Sequence, residues 1–237
     1  MHARVPLSAH TLLTLLTVAV LTGCSTAEGP ARTPEAEQPT PSARPKAKSL
    51  SQSELRALTL QEAELPEARA GGISVQERRD PTAYPSFKPA SDPDCQTVHD
   101  IRNAINATAV VVQVINWKDG IYGGGVTLAS YDDGEAEQLF VDLKRALRSC
   151  HTYRGDGWVG TYTSTMEAQK APEVGDEAVQ FREYTAVDLG KRDELSIVVR
   201  TGSVIATYDS LEVGRVPTFP TEPITKQSER LRDAQNR

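Results

Sequence analysis

Large apolar residues enter this chain as one dense run, Leu12 to Leu21, vanish between Ser25 and Lys48, and return from Leu50 onward. Beyond that point they follow two rhythms. Ser49 to Leu65 has helical composition, with Leu55, Leu58 and Leu65 ahead of a break at Pro66, and Gly72 to Arg78 reads as a short strand. The stretch to Pro93 reads as loop, punctuated by Pro81, Pro85 and Pro89, with Tyr84 and Phe87 expected to be exposed. Asp92 or Ser91 can cap a helix that carries Pro93 in its first turn. Cys95, Val98, Ile101 and Ile105 recur at spacings of three and four, which predicts one buried face with Cys95 on it.

Thr108 to Trp117 is β-branched on both parities, the mark of a central strand covered on both sides. Asp119-Gly120 and Gly123-Gly124-Gly125 predict the turn, and Val126 to Tyr131 the return strand. Asp132 with Glu135 three residues later has capping-box spacing. It opens a helix whose stripe is Ala136, Leu139, Phe140, Leu143, Leu147 and Cys150. From Gly157 the period drops to two: Thr161, Thr163 and Thr165 alternate with Trp158, Tyr162 and Met166. Val179 and Phe181 keep the same rule, as do Leu195, Ile197 and Val199. Thr201-Gly202-Ser203 predicts a tight turn into Val204 to Tyr208, and Thr221-Glu222-Pro223 opens a mostly polar C-terminal helix. The order predicts an α+β domain built on an antiparallel sheet with packed helices.

Charge narrows the partners. Residues 1–48 hold five Lys/Arg and three Asp/Glu, so of the overall −6 the remainder of the chain carries −8. An acidic domain without a cluster of Lys and Arg repels phosphate backbones, so nucleic acid is not an expected partner. Past Leu21 no apolar run is long enough to cross a bilayer.

The run from Leu12 to Leu21 follows a basic start at Arg4 and leads into Leu21-Thr22-Gly23-Cys24. A core of roughly ten residues is too short for a permanent span and fits the h-region of a secretory signal. Leu-Thr-Gly-Cys resembles the lipobox of bacterial lipoproteins, which implies a diacylglyceryl group on the Cys24 sulfur and cleavage before it. An ordinary cleaved signal, leaving a simply secreted protein, is the alternative. Ser25 to Lys48, with Pro30, Pro34, Pro39, Pro41 and Pro45 and no aromatic residue, cannot offset the entropy of ordering and should stay extended. In polyproline form it could hold a domain as much as ~70 Å from a bilayer. With Cys24 assigned to lipid, Cys95 and Cys150 make a pair that an oxidising compartment is expected to join. Two free buried thiols are the alternative; a zinc site lacks histidines at the required spacing.

The succession of Cys95 helix, Val-rich strand, amphipathic helix ending in Cys150, Val174-Gly175-Asp176-Glu177-Ala178 and Val198-Val199-Arg200-Thr201-Gly202-Ser203-Val204 resembles the extracellular sensor domain of PknH-type bacterial serine/threonine kinases. The resemblance covers roughly residues 50–235. It implies an α+β fold with a cleft, a ligand-sensing role and, usually, two disulfides. The sequence departs in having cysteines for one such bridge, and in showing neither a kinase domain nor a transmembrane helix.

Candidate chemistry is sparse. His99-Asp100 and His151 are the histidines beyond the leader, and no Gly-x-Ser-x-Gly elbow, His-Glu-x-x-His pair or P-loop accompanies them. Gly123-Gly124-Gly125 leads into a strand, which suits a hairpin better than an anion nest. Asp132, Asp133, Glu135 and Glu137 miss calcium-loop spacing and suit helix capping. The Asn106-Ala107-Thr108 sequon is incidental in a bacterial chain. Arg200, Trp158 and Tyr162 are the residues expected to meet a ligand. Together these features predict a signal peptide over 1–23, lipidated Cys24 and tether over 24–48, and an extracytoplasmic sensor-like domain over 49–237. The expectation is non-catalytic binding of a small envelope ligand or partner protein, without cofactor or metal. A lipid or glycolipid carrier is the alternative, and would need a large apolar cavity.

Overall fold

The computed structural model describes residues 47–77, 89–132, 134–157 and 160–237. The leader, Cys24, nearly all of the expected tether, Tyr84, Phe87, Asp133 and Trp158 lie outside them. In chain order the elements are α1 (Gln52–Ala57), β1 (Ala68–Glu77), α2 (Pro93–Arg102), β2 (Ala109–Trp117), β3 (Gly124–Ser130) and α3 (Glu135–Ala146). They continue with β4 (Thr152–Gly157), β5 (Gly160–Gln169), β6 (Glu177–Val187), β7 (Gly190–Thr201), β8 (Val204–Val213) and α4 (Thr221–Gln235). The strands form one antiparallel sheet in the order β1-β2-β3-β8-β7-β6-β5-β4. The chain leaves β3 at the centre of the sheet, passes through α3 to the far edge, and folds back strand by strand until β8 closes on β3. This is the expected α+β architecture, with helices on both faces.

Alternation along the strands feeds two cores. Val111, Ile115, Val126, Leu128, Ile197, Val199, Ala206 and Tyr208 pack with Leu55 of α1 and with Ile224 and Leu231 of α4. Val110, Ala129, Phe181, Val198 and Ile205 pack on the other face with Cys95, Val98 and Ile101 of α2 and Phe140 and Leu143 of α3. The both-parity reading of β2 is therefore correct: Val110 serves one core and Val111 the other.

Four local expectations need correcting. The first helix covers six residues, not the stretch to Leu65. Ser51 and Glu54 form its capping box. The helix cannot continue because Leu60 is drawn into the core, where the Gln113 side chain accepts from its N–H (2.8 Å) and donates to its carbonyl (2.9 Å). Ile105 is 44% exposed: α2 ends at Arg102, and Ala104 turns left-handed (φ 57°) and takes the buried position itself. Gly124 and Gly125 belong to β3, and the bare Gly124 backbone accommodates the Trp117 indole, whose nitrogen would lie 2.9 Å from a Cβ there. The N-cap of α3 is Gly134 in the left-handed region, without a side-chain cap; Asp132 contributes only its carbonyl, which accepts from Glu135 N.

Both ends of the domain meet at the β7–β8 turn. Ser203 Oγ donates to the Lys48 carbonyl (2.8 Å), Ser203 N donates to Gln235 Oε1 (2.7 Å), and Gln235 Nε2 donates to the Thr201 carbonyl (2.9 Å). On the α2–α3 face, Cys95 and Cys150 are joined in a disulfide, their Cα atoms 4.8 Å apart and 55 positions apart in sequence. A loop of that length lowers the entropy of the unfolded chain enough to stabilise the fold by about 4 kcal/mol. Reduction, or a Cys95→Ser/Cys150→Ser chain, is expected to lose up to this amount in urea unfolding followed by far-ultraviolet circular dichroism. An unchanged midpoint would contradict a stabilising bridge.

Candidate functional site

One turn beyond Cys95, the helix α2 points His99 and then Arg102 at the sheet, so the disulfide that anchors this helix also sets their position. Below them, register brings polar side chains of the last five strands in chain order onto one face. Tyr153 lies opposite Ser164, Ser164 opposite Thr185, Glu183 opposite Glu194, and Ser196 opposite Asp209.

Tyr153 is the junction. Its hydroxyl donates to Glu183 Oε1 at 2.6 Å and lies 2.6 Å from His99 Nε2. The tyrosine has one proton and gives it to the carboxylate, so the imidazole supplies the other, which places the His99 hydrogen on Nε2. The Nδ1 lone pair then accepts from Arg102 Nη2 at 3.3 Å. Arg102 Nη1 donates to Glu183 Oε2 at 3.2 Å and stands 3.8 Å from Glu194 Oε2, which also receives Arg192 Nη2 at 2.8 Å. Ser196 Oγ donates to Asp209 Oδ1 at 2.5 Å, and the Ser164 and Thr185 hydroxyls share a bond of the same length.

Burial and pairing act on each group. Burial alone would raise Glu183, which is 2% exposed, but Arg102, His99 and the Tyr153 hydroxyl outweigh it and hold the carboxyl down to about 2. His99 is pushed down to about 4 by burial and then by Arg102. Tyr153 is pushed above its ordinary value by burial and by Glu183. Burial works against the Arg102 charge, yet Glu194, Glu183 and Asp209 together hold it more firmly protonated than a free arginine. Asp209 is pushed up to about 6 by burial, against the pull of Arg102. The result is an ordered floor of charge in which the groups able to move a proton are already committed to one another. Among the described residues no three His, Cys, Asp or Glu side chains are grouped to hold a metal ion.

Of the residues the sequence singled out, Tyr162 reaches this site. Its ring meets Tyr153 edge-on with centroids 6.3 Å apart and covers Gly155, where a Cβ would come 2.6 Å from the Tyr162 hydroxyl. Trp158 lies outside the described residues. Arg200 shares a face with Arg192 but stands eight positions along β7, about 26 Å away at strand rise. It pairs with Glu177 at 2.9 Å and Asp176 at 3.5 Å. His151 is exposed, and its carbonyl accepts from Met166 N. Tyr153, Arg102, Glu183, Glu194 and Asp209 escaped the sequence reading. The available signal was parity: Glu183 continues the inward positions Val179 and Phe181, and Asp209 continues from Ile205.

No protein-family model matches the sequence, and no curated protein matches it. In structure the chain is similar to the extracellular domain of PknH from Mycobacterium tuberculosis, with a TM-score of 0.55 over 80% of this chain and 98% of that one. Identity is 13%, so the likeness is one of fold.

Two predictions follow from the buried charges. His99 titrates lower in the fold than its ordinary 6.5, so its contribution is full above pH 6.5 and lost as pH falls toward 4. Asp209 has the opposite sign: its contribution is full below pH 3.8 and lost as pH rises through 6. In an Asp209→Asn chain, urea stability should fall between pH 6.5 and 5 by up to about 1.4 kcal/mol per pH unit. In a His99→Gln chain it should rise from pH 6 to pH 5. Identical slopes in the two chains would contradict the assignment. Separately, Arg102→Leu strands Glu183 in the interior and should cost about 3–5 kcal/mol, partly recovered by adding Glu183→Leu. A double variant no more stable than the single one would show that the pair is not coupled.

Proposed function

We propose that this chain is a lipid-anchored extracytoplasmic lipoprotein whose domain acts as a non-catalytic, sensor-type binding module. The observation that carries the reading is Leu21-Thr22-Gly23-Cys24 at the end of a short apolar run, ahead of a domain whose fold is similar to the extracellular domain of PknH. In this reading residues 1–23 are removed, Cys24 carries the diacylglyceryl anchor in the outer leaflet of the cell membrane, 24–48 is the spacer and 49–237 the binding domain. The Cys95–Cys150 bridge suits an oxidising compartment. No helix of the described residues is long and apolar enough to cross a membrane.

The binding region in this reading is the wall of the buried charge network, where Tyr162 stands on β5 and Arg192 and Glu194 border the floor, with Trp158 proposed as a further contact residue from the sequence. A small envelope ligand or a partner segment would contact these residues. Arg200, about 26 Å from Arg192 along β7 and paired with Glu177, would take no part in this contact. Satisfied pairs such as Tyr153 with Glu183 support binding over catalysis, because a general base needs a free lone pair and an accessible proton to take.

The anchor is tested by expressing the full chain and its Cys24→Ala variant in a bacterial host fed an alkynyl fatty acid. The wild-type chain should carry label and partition into detergent, and the variant should carry none. An unlabelled, freely released wild-type chain would remove the lipoprotein reading.

A further inference from the structure

The face opposite the charge network holds an open pocket of about 380 Å³ at the end of the sheet where β2 hands over to β3. We propose that it binds a neutral saccharide. The volume lies within the ~300–1,000 Å³ range of small-molecule sites. One wall is aromatic: Trp117 meets Phe219 edge-on at 5.5 Å, and Phe219 in turn meets Tyr208 at 5.3 Å beneath it. The other wall is polar, with Glu67, Asp119, Glu212 and Arg215.

The walls select among ligands. Three carboxylates against one guanidinium disfavour an anion, and Arg215 is already paired with Glu212 at 3.0 Å. A simple ammonium would suit the carboxylates but brings only donors. Arg215, which lines the same pocket with its side chain 57% exposed, adds donors that repel an ammonium and call for acceptors. Sugar hydroxyls donate and accept from adjacent atoms, and the C–H face of a pyranose packs on aromatic rings, so this ligand class meets both walls.

The pocket is preformed. Arg69 Nε donates to the Trp117 carbonyl (2.9 Å) and its Nη2 to the Gly120 carbonyl (2.8 Å), while Arg215 Nη2 donates to the Asp119 carbonyl (3.0 Å). These bonds hold the β2–β3 connection in place before any ligand arrives. Val216 on the lining is 67% exposed, and Ile121, next in the chain after the lining residue Gly120, is 90% exposed. They provide apolar cover for whatever the sugar is attached to. The inference is independent of the anchor and of the site on the other face.

The test uses the full chain with 15N-labelled tryptophan, held in a sugar-free zwitterionic detergent. The Trp117 indole resonance is assigned from the Trp117→Phe chain or from its contacts with the Phe219 ring. Methyl β-glucoside, β-galactoside and α-mannoside are titrated, with inorganic phosphate and methylamine as anionic and cationic probes. A saturable shift of the Trp117 indole with at least one glycoside is expected, weakened at least about tenfold in a Glu67→Gln/Asp119→Asn chain. Glu67 and Asp119 are exposed, so that variant keeps the fold. No glycoside shift up to roughly 100 mM, a shift from phosphate or methylamine alone, or one undiminished in the variant would overturn the proposal.

Discussion

A guanidinium carried under a helix must be met by acceptors on every side, and Arg102 imposes that demand on half the sheet. Glu183 answers on β6 and Glu194 on β7, with Asp209 adding its field from β8. Each sits at an inward position where an aliphatic residue would otherwise serve the core. Removing both charges in favour of packed hydrophobic groups often costs nothing, so such a cluster is better understood as specifying an arrangement than as adding stability. What it specifies is the seat of α2: the helix is tied to α3 by the Cys95–Cys150 bridge and to the sheet through His99 and Arg102. Slide the helix by one turn and Glu183 and Asp209 lose their counter-charge, while Glu194 keeps Arg192.

Much of the architecture was legible in the chain, and the misses have physical causes. The helix periods around Cys95 and Phe140, and the alternation through Phe181 and Ile197, gave the elements and which side of each is inward, because burial on one face leaves a strict period. Strand β4 was missed since Tyr153 and Gly155 are its only buried positions; it exists because β5 offers a partner edge. The short α1 depends on Gln113, more than fifty residues away, capturing Leu60. The closing of β8 on β3 is likewise a contact between distant segments, invisible to any local window.

The candidate site was less legible because it is assembled from single residues. No stretch holds two of its acids at a recognisable spacing. Glu183, Glu194 and Asp209 become neighbours only once β6, β7 and β8 pair in register. Polar residues on an inward parity, such as Glu183 after Val179 and Phe181, were the accessible hint. Arg200 drew attention by its place in a loosely familiar motif, yet it answers Glu177 across the strand pair. A resemblance of motif and a fold likeness at 13% identity agree on the scaffold and leave side-chain roles to be worked out from geometry.

The clasp of Lys48, Ser203 and Gln235 has a mechanical meaning. A pull applied at the start of the domain does not arrive at β1, an edge strand that could peel away from β2 one bond at a time. It arrives at the turn joining β7 and β8, among the inner strands, and at the last turn of α4, through Ser203 and Gln235 together. Leu50 adds a second hold, its N–H donating to Ser130 Oγ at the end of β3. Tension is thus spread over the middle of the sheet and a helix at once, and the domain bears it as a single body.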